Sequence, residues 1–189
     1  MNSMNMNGCR VCGNMKSVNK YIVDGFHIQQ CPDCSLLFVG DCLTPNDLNR
    51  YYNKIELGSA YADPSYTDSK NIDNLKSCYI KLRDLIEDKK NEERLGKILN
   101  VGCSAGYFLD TMDGWDRYGI EISLKYAQKA KENYGNNIHI GDLKDAVFQK
   151  GYFDVITLQD VLDHMIDPYD TLHSSTVSFS YVCLHLCNA

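Results

Sequence analysis

Lys97-Ile-Leu-Asn-Val-Gly-Cys-Ser-Ala-Gly-Tyr-Phe-Leu109 begins as a short apolar run and ends as the start of a helical pattern. Ile98, Leu99 and Val101 read as a buried strand. Gly102 and Gly106 break it, and Tyr107, Phe108, Leu109 and Met112 then recur at helical spacing. A strand, a tight glycine turn and a helix start bring backbone N–H groups and a helix N-terminus up to a ligand. The plainer reading is an ordinary strand–helix turn in which glycine only supplies positive φ. Residues farther along the chain bear on that choice.

Tyr118-Gly-Ile-Glu-Ile122 reads as a second strand, and Glu121 lies nineteen residues beyond Gly102. An acidic side chain about that far on hydrogen-bonds the ribose of an adenosine ligand. Ser123 is placed to cap a helix through Leu124, Ala127, Ala130 and Tyr134. Asn137–Ile140 gives a third strand before Gly141-Asp142, and Phe153–Leu158 a fourth before Gln159-Asp160. Strands alternating with helices predict an α/β fold: a Rossmann-like, doubly wound parallel sheet, incomplete at about four core strands. Ligands on such sheets bind beyond the carboxyl ends of the strands, where the glycine turn, Glu121, Asp142 and Gln159-Asp160 all fall.

A dinucleotide fingerprint needs a second glycine where this chain has Ser104, so that backbone can approach a pyrophosphate. A ligand without phosphates tolerates that side chain better, and no lysine is present to make a P-loop. S-adenosylmethionine fits: the ribose suits Glu121, the adenine edge Asp142, and the amino-acid end the glycine turn.

Upstream, Cys9-Arg-Val-Cys12 and Cys31-Pro-Asp-Cys34 form two C-x2-C knuckles with eighteen residues between them. That spacing matches four-thiolate zinc sites, and four thiolates leave no open coordination position, so the expected Zn2+ is structural. Asp24-Gly25 between Tyr21-Ile-Val23 and Phe26-His-Ile28 signals a hairpin. So small a module cannot build much core, and metal would supply much of its folding energy. His27 is a fifth candidate ligand, although a hairpin histidine is ordinarily a surface side chain. Cys42 falls outside the knuckle spacing. Thr44-Pro-Asn-Asp47 reads as the start of a short helix through Leu48, Tyr51 and Tyr52. Tyr61 and Tyr66 follow in a polar stretch, where they can line a pocket or pack the module onto its neighbour. A long helix is expected from about Ser69 to Lys89-Lys90, with Ile72, Leu75, Tyr79, Leu82 and Ile86 on one face, lying across the sheet and sheltering the ligand.

The expected domains are therefore a zinc ribbon over 1–43, a helical linker and lid over 44–95, the Rossmann-like core over 96–173, and an atypical tail over 174–189. Apolar content of 44% and charged content of 23% are ordinary for a soluble protein. Without a membrane-length apolar run or a signal-peptide pattern at the start, the cytoplasm is the expected location. A net charge of −6 argues against a nucleic-acid grip, and residues 1–57 balance five basic against five acidic side chains. Nine cysteines, an odd number, point to metal or free thiols rather than a disulfide scaffold.

Ile98–Leu109, Gly119-Ile-Glu-Ile122, Gly141-Asp142 and Phe153–Pro168 together resemble class I S-adenosylmethionine-dependent methyltransferases. The paired knuckles, Leu36-Leu-Phe38 and Tyr51-Tyr52 resemble the zinc-ribbon head of one bacterial branch of that family. Members of that branch accompany surface-polysaccharide or sugar-modifying enzymes. The resemblance implies a cofactor site of Gly102, Cys103, Ser104, Gly106, Tyr107, Glu121, Ile122, Asp142, Leu143, Gln159 and Asp160. It also implies a small-molecule methyl acceptor, with no nucleic-acid or membrane partner. Two positions depart from the family. Asn100 stands where an acidic residue usually ends the first strand, and Asp163 where glutamate usually precedes the histidine. The tail departs further. Only eight residues separate Pro168 from Val177, fewer than a parallel crossover needs. A truncated or frame-shifted end is expected, leaving the fourth strand near an open edge.

Methyl transfer from a sulfonium needs alignment more than acid–base help. Where the acceptor must lose a proton, His164 beside Asp163 is the candidate base; the competing reading is a histidine that fixes its loop. Cys103 reads as a small packing residue rather than a nucleophile, and Asp154 as structural. Three readings compete with methyl transfer: a non-catalytic S-adenosylmethionine-binding remnant, a nicotinamide-dependent oxidoreductase, and a zinc-ribbon nucleic-acid adaptor.

Overall fold

The computed structural model describes residues 3–5, 8–54, 69–89, 96–169 and 182–185. The expectations for Tyr61 and Tyr66, for the Cys42 side chain and for most of the tail lie outside what it describes.

The central element is a parallel sheet with strand order β10-β9-β6-β7-β8, formed by β6 (Lys97–Val101), β7 (Asp116–Glu121), β8 (Ile138–Ile140), β9 (Val155–Gln159) and β10 (Val182–His185). The chain runs outward through β6, β7 and β8, then returns to the other side of β6 for β9. The order therefore reverses between β6 and β9, the kind of crevice where open α/β sheets bind ligands. Pairing is level along the rim: Val101 lies opposite both Ile120 and Leu158, and Glu121 opposite Ile140. The turn after β6, Glu121, the Gly141 loop and Gln159 consequently share one end of the sheet.

One face of the sheet packs Ile98, Ile138 and Val155 against Leu82 and Ile86 of the helix α2 (Ser69–Lys89) and Ala127 and Ala130 of α3 (Leu124–Tyr134). Phe108, Met112 and Trp115 complete that layer. The long helix appears where its three- and four-residue apolar steps predict it, with the Trp115 indole donating to Glu87 across the packing at 3.3 Å.

Three features differ from expectation. The α-helix foreseen after the glycine turn is a single turn, a 3-10 helix at Leu109–Thr111. Gly106 and Gly114, both at positive φ, bracket it, and the chain between them is too short to propagate a helix once nucleated. The second face carries no α-helix among the described residues. Leu99, Val101, Ile120 and Ile156 are covered instead by Leu143 and Ala146 and by the loop aromatics Phe148, Tyr152 and Phe153. The four core strands are present, but the tail also supplies a fifth, β10, which pairs in parallel with β9 from Val182↔Ile156 to His185↔Gln159. The edge expected to lie open on β9 is therefore covered. The crossover runs not through the eight residues before Val177 but through the longer segment from Gln159 to Val182, enough for a parallel connection.

The N-terminal residues form a separate antiparallel sheet of β2 (Val18–Val23), β3 (Phe26–Gln30) and β4 (Leu37–Val39). Asp24 (φ 50°) and Gly25 (φ 85°) make the expected hairpin turn. A short pair, β1 (Ser3–Asn5) with β5 (Asp41–Leu43), lies beside it. Of the described residues 8–41 only Gly8, Cys9, Cys31 and Gly40 are buried, while Val18, Tyr21, Val23, Leu37 and Val39 are exposed. The module thus has no apolar core of its own. The helix α1 (Pro45–Lys54) starts as its sequence requires: the Thr44 hydroxyl accepts from the Asp47 amide at 3.1 Å and donates to the Asp47 carboxylate at 2.8 Å.

Candidate functional site

The turn after β6 is bonded directly to β7. Gly102 and Cys103 donate their amides to Ile120 O at 2.8 and 3.0 Å, and Ser104 donates its amide to Glu121 Oε2 at 2.8 Å. The other carboxylate oxygen, Oε1, accepts from the Ser123 amide at 2.7 Å. Glu121 is therefore held rigid, with acceptor capacity left on the carboxylate for a further donor. The Ser123 hydroxyl makes no capping bond, although the residue occupies the N-cap position of α3. Burial pushes the Glu121 carboxyl above its ordinary pKa, against the pull of the Ser123, Ser104 and Ile122 amides.

The glycines of the turn answer to the protein's own packing as well as to φ. A Cβ on Gly102 (φ 71°) would lie 2.5 Å from Val161 Cγ2, and one on Gly106 (φ 92°) 2.7 Å from the Tyr134 ring. Ser104 at φ 50° and Asp160 at φ 50°, after β9, are non-glycine residues in the left-handed region. Such strain persists only where surrounding structure over-determines it, and both residues stand on the same rim.

The remaining candidates sort by exposure. Cys103 is buried in the helix-side core, and burial, with the Glu121 charge adding, pushes its thiol up to about 12, so it is a packing residue with only its backbone at the turn. Leu143 is likewise buried. Asp142 is exposed and caps its own 3-10 helix (Leu143–Asp145) by accepting from the Lys144 amide at 3.0 Å. Tyr107 and Ile122 are half-buried beside Glu121's end of the rim. Gln159 ends β9 with a buried Nε2 that has no hydrogen-bond partner among the described residues. A buried amide left without an acceptor is costly unless a ligand supplies one. His164 closes a 3-10 helix (Leu162–His164), exposed, with Nε2 3.5 Å from Asp163 Oδ2. Asn100 is buried and accepts from the Thr157 hydroxyl at 3.2 Å, so it pins β6 to β9. Asp154 caps the opposite end of the sheet through the Lys97 amide, a structural contact as its sequence position suggested.

The four knuckle cysteines converge, with all Sγ atoms within 4.8 Å of one another. Cys9 and Cys34 stand 3.5 Å apart, Cys12 and Cys31 3.4 Å. A tetrahedron with metal–sulfur bonds of about 2.3 Å puts its sulfurs roughly 3.8 Å apart, so the donor set fits such an ion. The two knuckles are built alike: Gly13 N donates to Cys9 O at 3.0 Å and Ser35 N to Cys31 O at 3.1 Å. His27 lies outside the cluster; its amide and Nδ1 both meet the Asp41 carboxylate, which holds Asp41 below the usual carboxylate range.

One pair of residues joins the two parts and has no sequence signature. Arg10, between the cysteines of the first knuckle, donates from Nη1 to Asp167 Oδ2 at 2.7 Å across a separation of 157 positions.

Residues 99–176 match the family described as "Methyltransferase domain", and the sheet order is that of an α/β Rossmann-like fold. No curated protein matches the sequence. Among solved structures the chain is similar to a SAM-dependent methyltransferase of Leishmania major, at 12% identity over 74% of this chain and 59% of that one, with a TM-score of 0.52. It is also similar to the PH0226 protein of Pyrococcus horikoshii, at 21% identity over 67% and 65%, TM-score 0.51. The plantazolicin methyltransferase BpumL, solved with a desmethylplantazolicin analogue and SAH, matches at 20% identity over 76% and 61%, TM-score 0.50. The chain spans 56% of the length of the first structures it matches. Nothing among these matches favours the nicotinamide reading. No helix of the described residues is long and apolar enough to cross a membrane.

Proposed function

We propose that this chain transfers a methyl group from S-adenosylmethionine to a small biosynthetic acceptor, sugar-like by the resemblance of its cysteine-bearing head. The observation that carries the reading is the bond from the Ser104 amide to Glu121, which brings the glycine turn and the ribose-binding carboxylate to one place. Glu121 accepts from the ribose hydroxyls, Asp142 from the adenine amino group, and the backbone of Leu143 meets the adenine edge. Gly102, Ser104 and Gly106 with Gln159 and Asp160 hold the methionine end, where the buried Gln159 Nε2 finds the acceptor it lacks. Bound S-adenosylmethionine supplies an electrophilic methyl group, and the chain aligns the acceptor and excludes water. Where the acceptor atom is a hydroxyl oxygen, His164 is the group that would take its proton. The same reading places a structural Zn2+ on Cys9, Cys12, Cys31 and Cys34.

Calorimetric titration with S-adenosylmethionine and with SAH tests the cofactor assignment. Binding of both, with no response to NADH, is expected. Silence towards both sulfur ligands would overturn it. A turnover assay on the same preparation separates an enzyme from a binding remnant.

A further inference from the structure

The segment after β9 starts on the strained Asp160 and is tied down at its near end. Val161 packs on Gly102, and Val161, Leu162 and Met165 lie against the sheet core. Its amides close on themselves, His164 N to Val161 O at 3.0 Å and Met165 N to Leu162 O at 3.3 Å. Its far end has a different anchor. Asp167, only 19% exposed, takes a charge-assisted bond from Arg10, whose backbone is part of the first cysteine knuckle. The Val11 amide, next to it, donates to Cys9 Sγ at 3.5 Å, so the position of Arg10 follows the geometry of the cysteine cluster.

We propose that Arg10 is a positioning residue. Through Asp167 it makes the four-cysteine module the outer anchor of residues 161–167, the segment that carries His164. This rests on the methyltransferase reading for its purpose and on the four-thiolate reading for its dependence on metal. Its geometry stands on the ion pair alone. Four thiolates drawn together by a cation fix the knuckle. Without the cation the sulfurs take up protons, nothing clamps the two knuckles together, and Arg10 is no longer held beside Asp167.

Amide hydrogen exchange over 161–167 tests the proposal without any acceptor substrate. Arg10→Ala, Asp167→Asn and the double variant are compared with the wild-type chain as purified, with zinc content measured on each sample. Each single variant should speed exchange across 161–167 by about two- to fivefold, the size of a partly exposed ion pair. The double variant should add nothing further, because either change removes the whole interaction. Arg10→Lys should restore most of the protection, which a loss of packing alone would not give. Stripping zinc from wild type should loosen the same segment, and in Arg10→Ala should loosen it no more. Unchanged exchange in Arg10→Ala, or additive effects in the double variant, overturns the proposal. The zinc content reads separately on the metal assignment, and the variant comparison decides the role of Arg10 in either case.

Discussion

In the proposed function Glu121 meets opposite demands on its proton, one from the fold and one from the cofactor. Burial raises its pKa, so the ligand-free fold favours the neutral acid more than the unfolded chain does. Its contribution to stability is therefore present below the unfolded pKa and is lost as pH rises through the folded one. In the proposed function ribose hydroxyls donate to the ionised form, so cofactor affinity should run the other way, full above the folded pKa and lost as pH falls through it. Because that pKa is raised, the acid-side loss should begin at a higher pH than for an ordinary glutamate. Calorimetric titration across pH should show this in wild type and a flat profile in Glu121→Gln. Glu121→Ala should weaken binding about 10- to 100-fold, the range of a bond to a charged group. A second residue-scale expectation concerns Gly102: Gly102→Ala combines positive φ with a Cβ 2.5 Å from Val161 and should cost about 1–3 kcal/mol in chemical denaturation. The spacing of Glu121 and the glycines was legible because it is local. The Ser104 and Ser123 amides that fix Glu121 were not, since they meet it only once strand, turn and helix are assembled.

At the scale of elements, the strongly periodic segments were the readable ones. The apolar steps of Ser69–Lys89, the Thr44 cap and the Asp24-Gly25 hairpin each carry their own local physics. The turn at Leu109–Thr111 shows the opposite case: Tyr107, Phe108, Leu109 and Met112 have helical spacing, yet the bracketing glycines leave room for one turn only. The cysteine module makes a sharper prediction. With only two glycines and two cysteines buried over 8–41, and Ile28, Leu36 and Phe38 only half-buried, little apolar packing holds β2–β4 together without the ion proposed for the four sulfurs. A chelator should therefore abolish exchange protection in β2 and β3 while the amides of β6, β7 and β9 stay protected. Cys31→Ser should do the same without chelator, since Cys31 is one of the four clustered sulfurs and one of the few buried side chains. Loss of protection across both sheets together would mean that the module and the parallel sheet unfold as one unit.

For the whole molecule, the decisive contact is the one that the tail's composition concealed. Ser174–Ala189 alternates only loosely, and four residues are too few for a periodicity to declare itself, yet Val182–His185 completes the hydrogen bonding of β9. The strand so covered is the one whose end carries Gln159 and Asp160, and Gln159 lies opposite His185. A chain shortened to residue 169 would leave β9 with β6 alone as a partner and turn a buried strand into an edge. Unpaired amides and carbonyls beside Ile156 and Leu158 invite a second chain to add there. The shortened chain should melt lower than the full one and elute as concentration-dependent oligomers in size-exclusion chromatography with light scattering. It should also bind S-adenosylmethionine more weakly, because the end of β9 loses its support on one side while Glu121, two strands away, keeps its backbone donors. A shortened chain that stayed monomeric, with unchanged melting temperature and affinity, would show that β10 contributes neither to stability nor to the site.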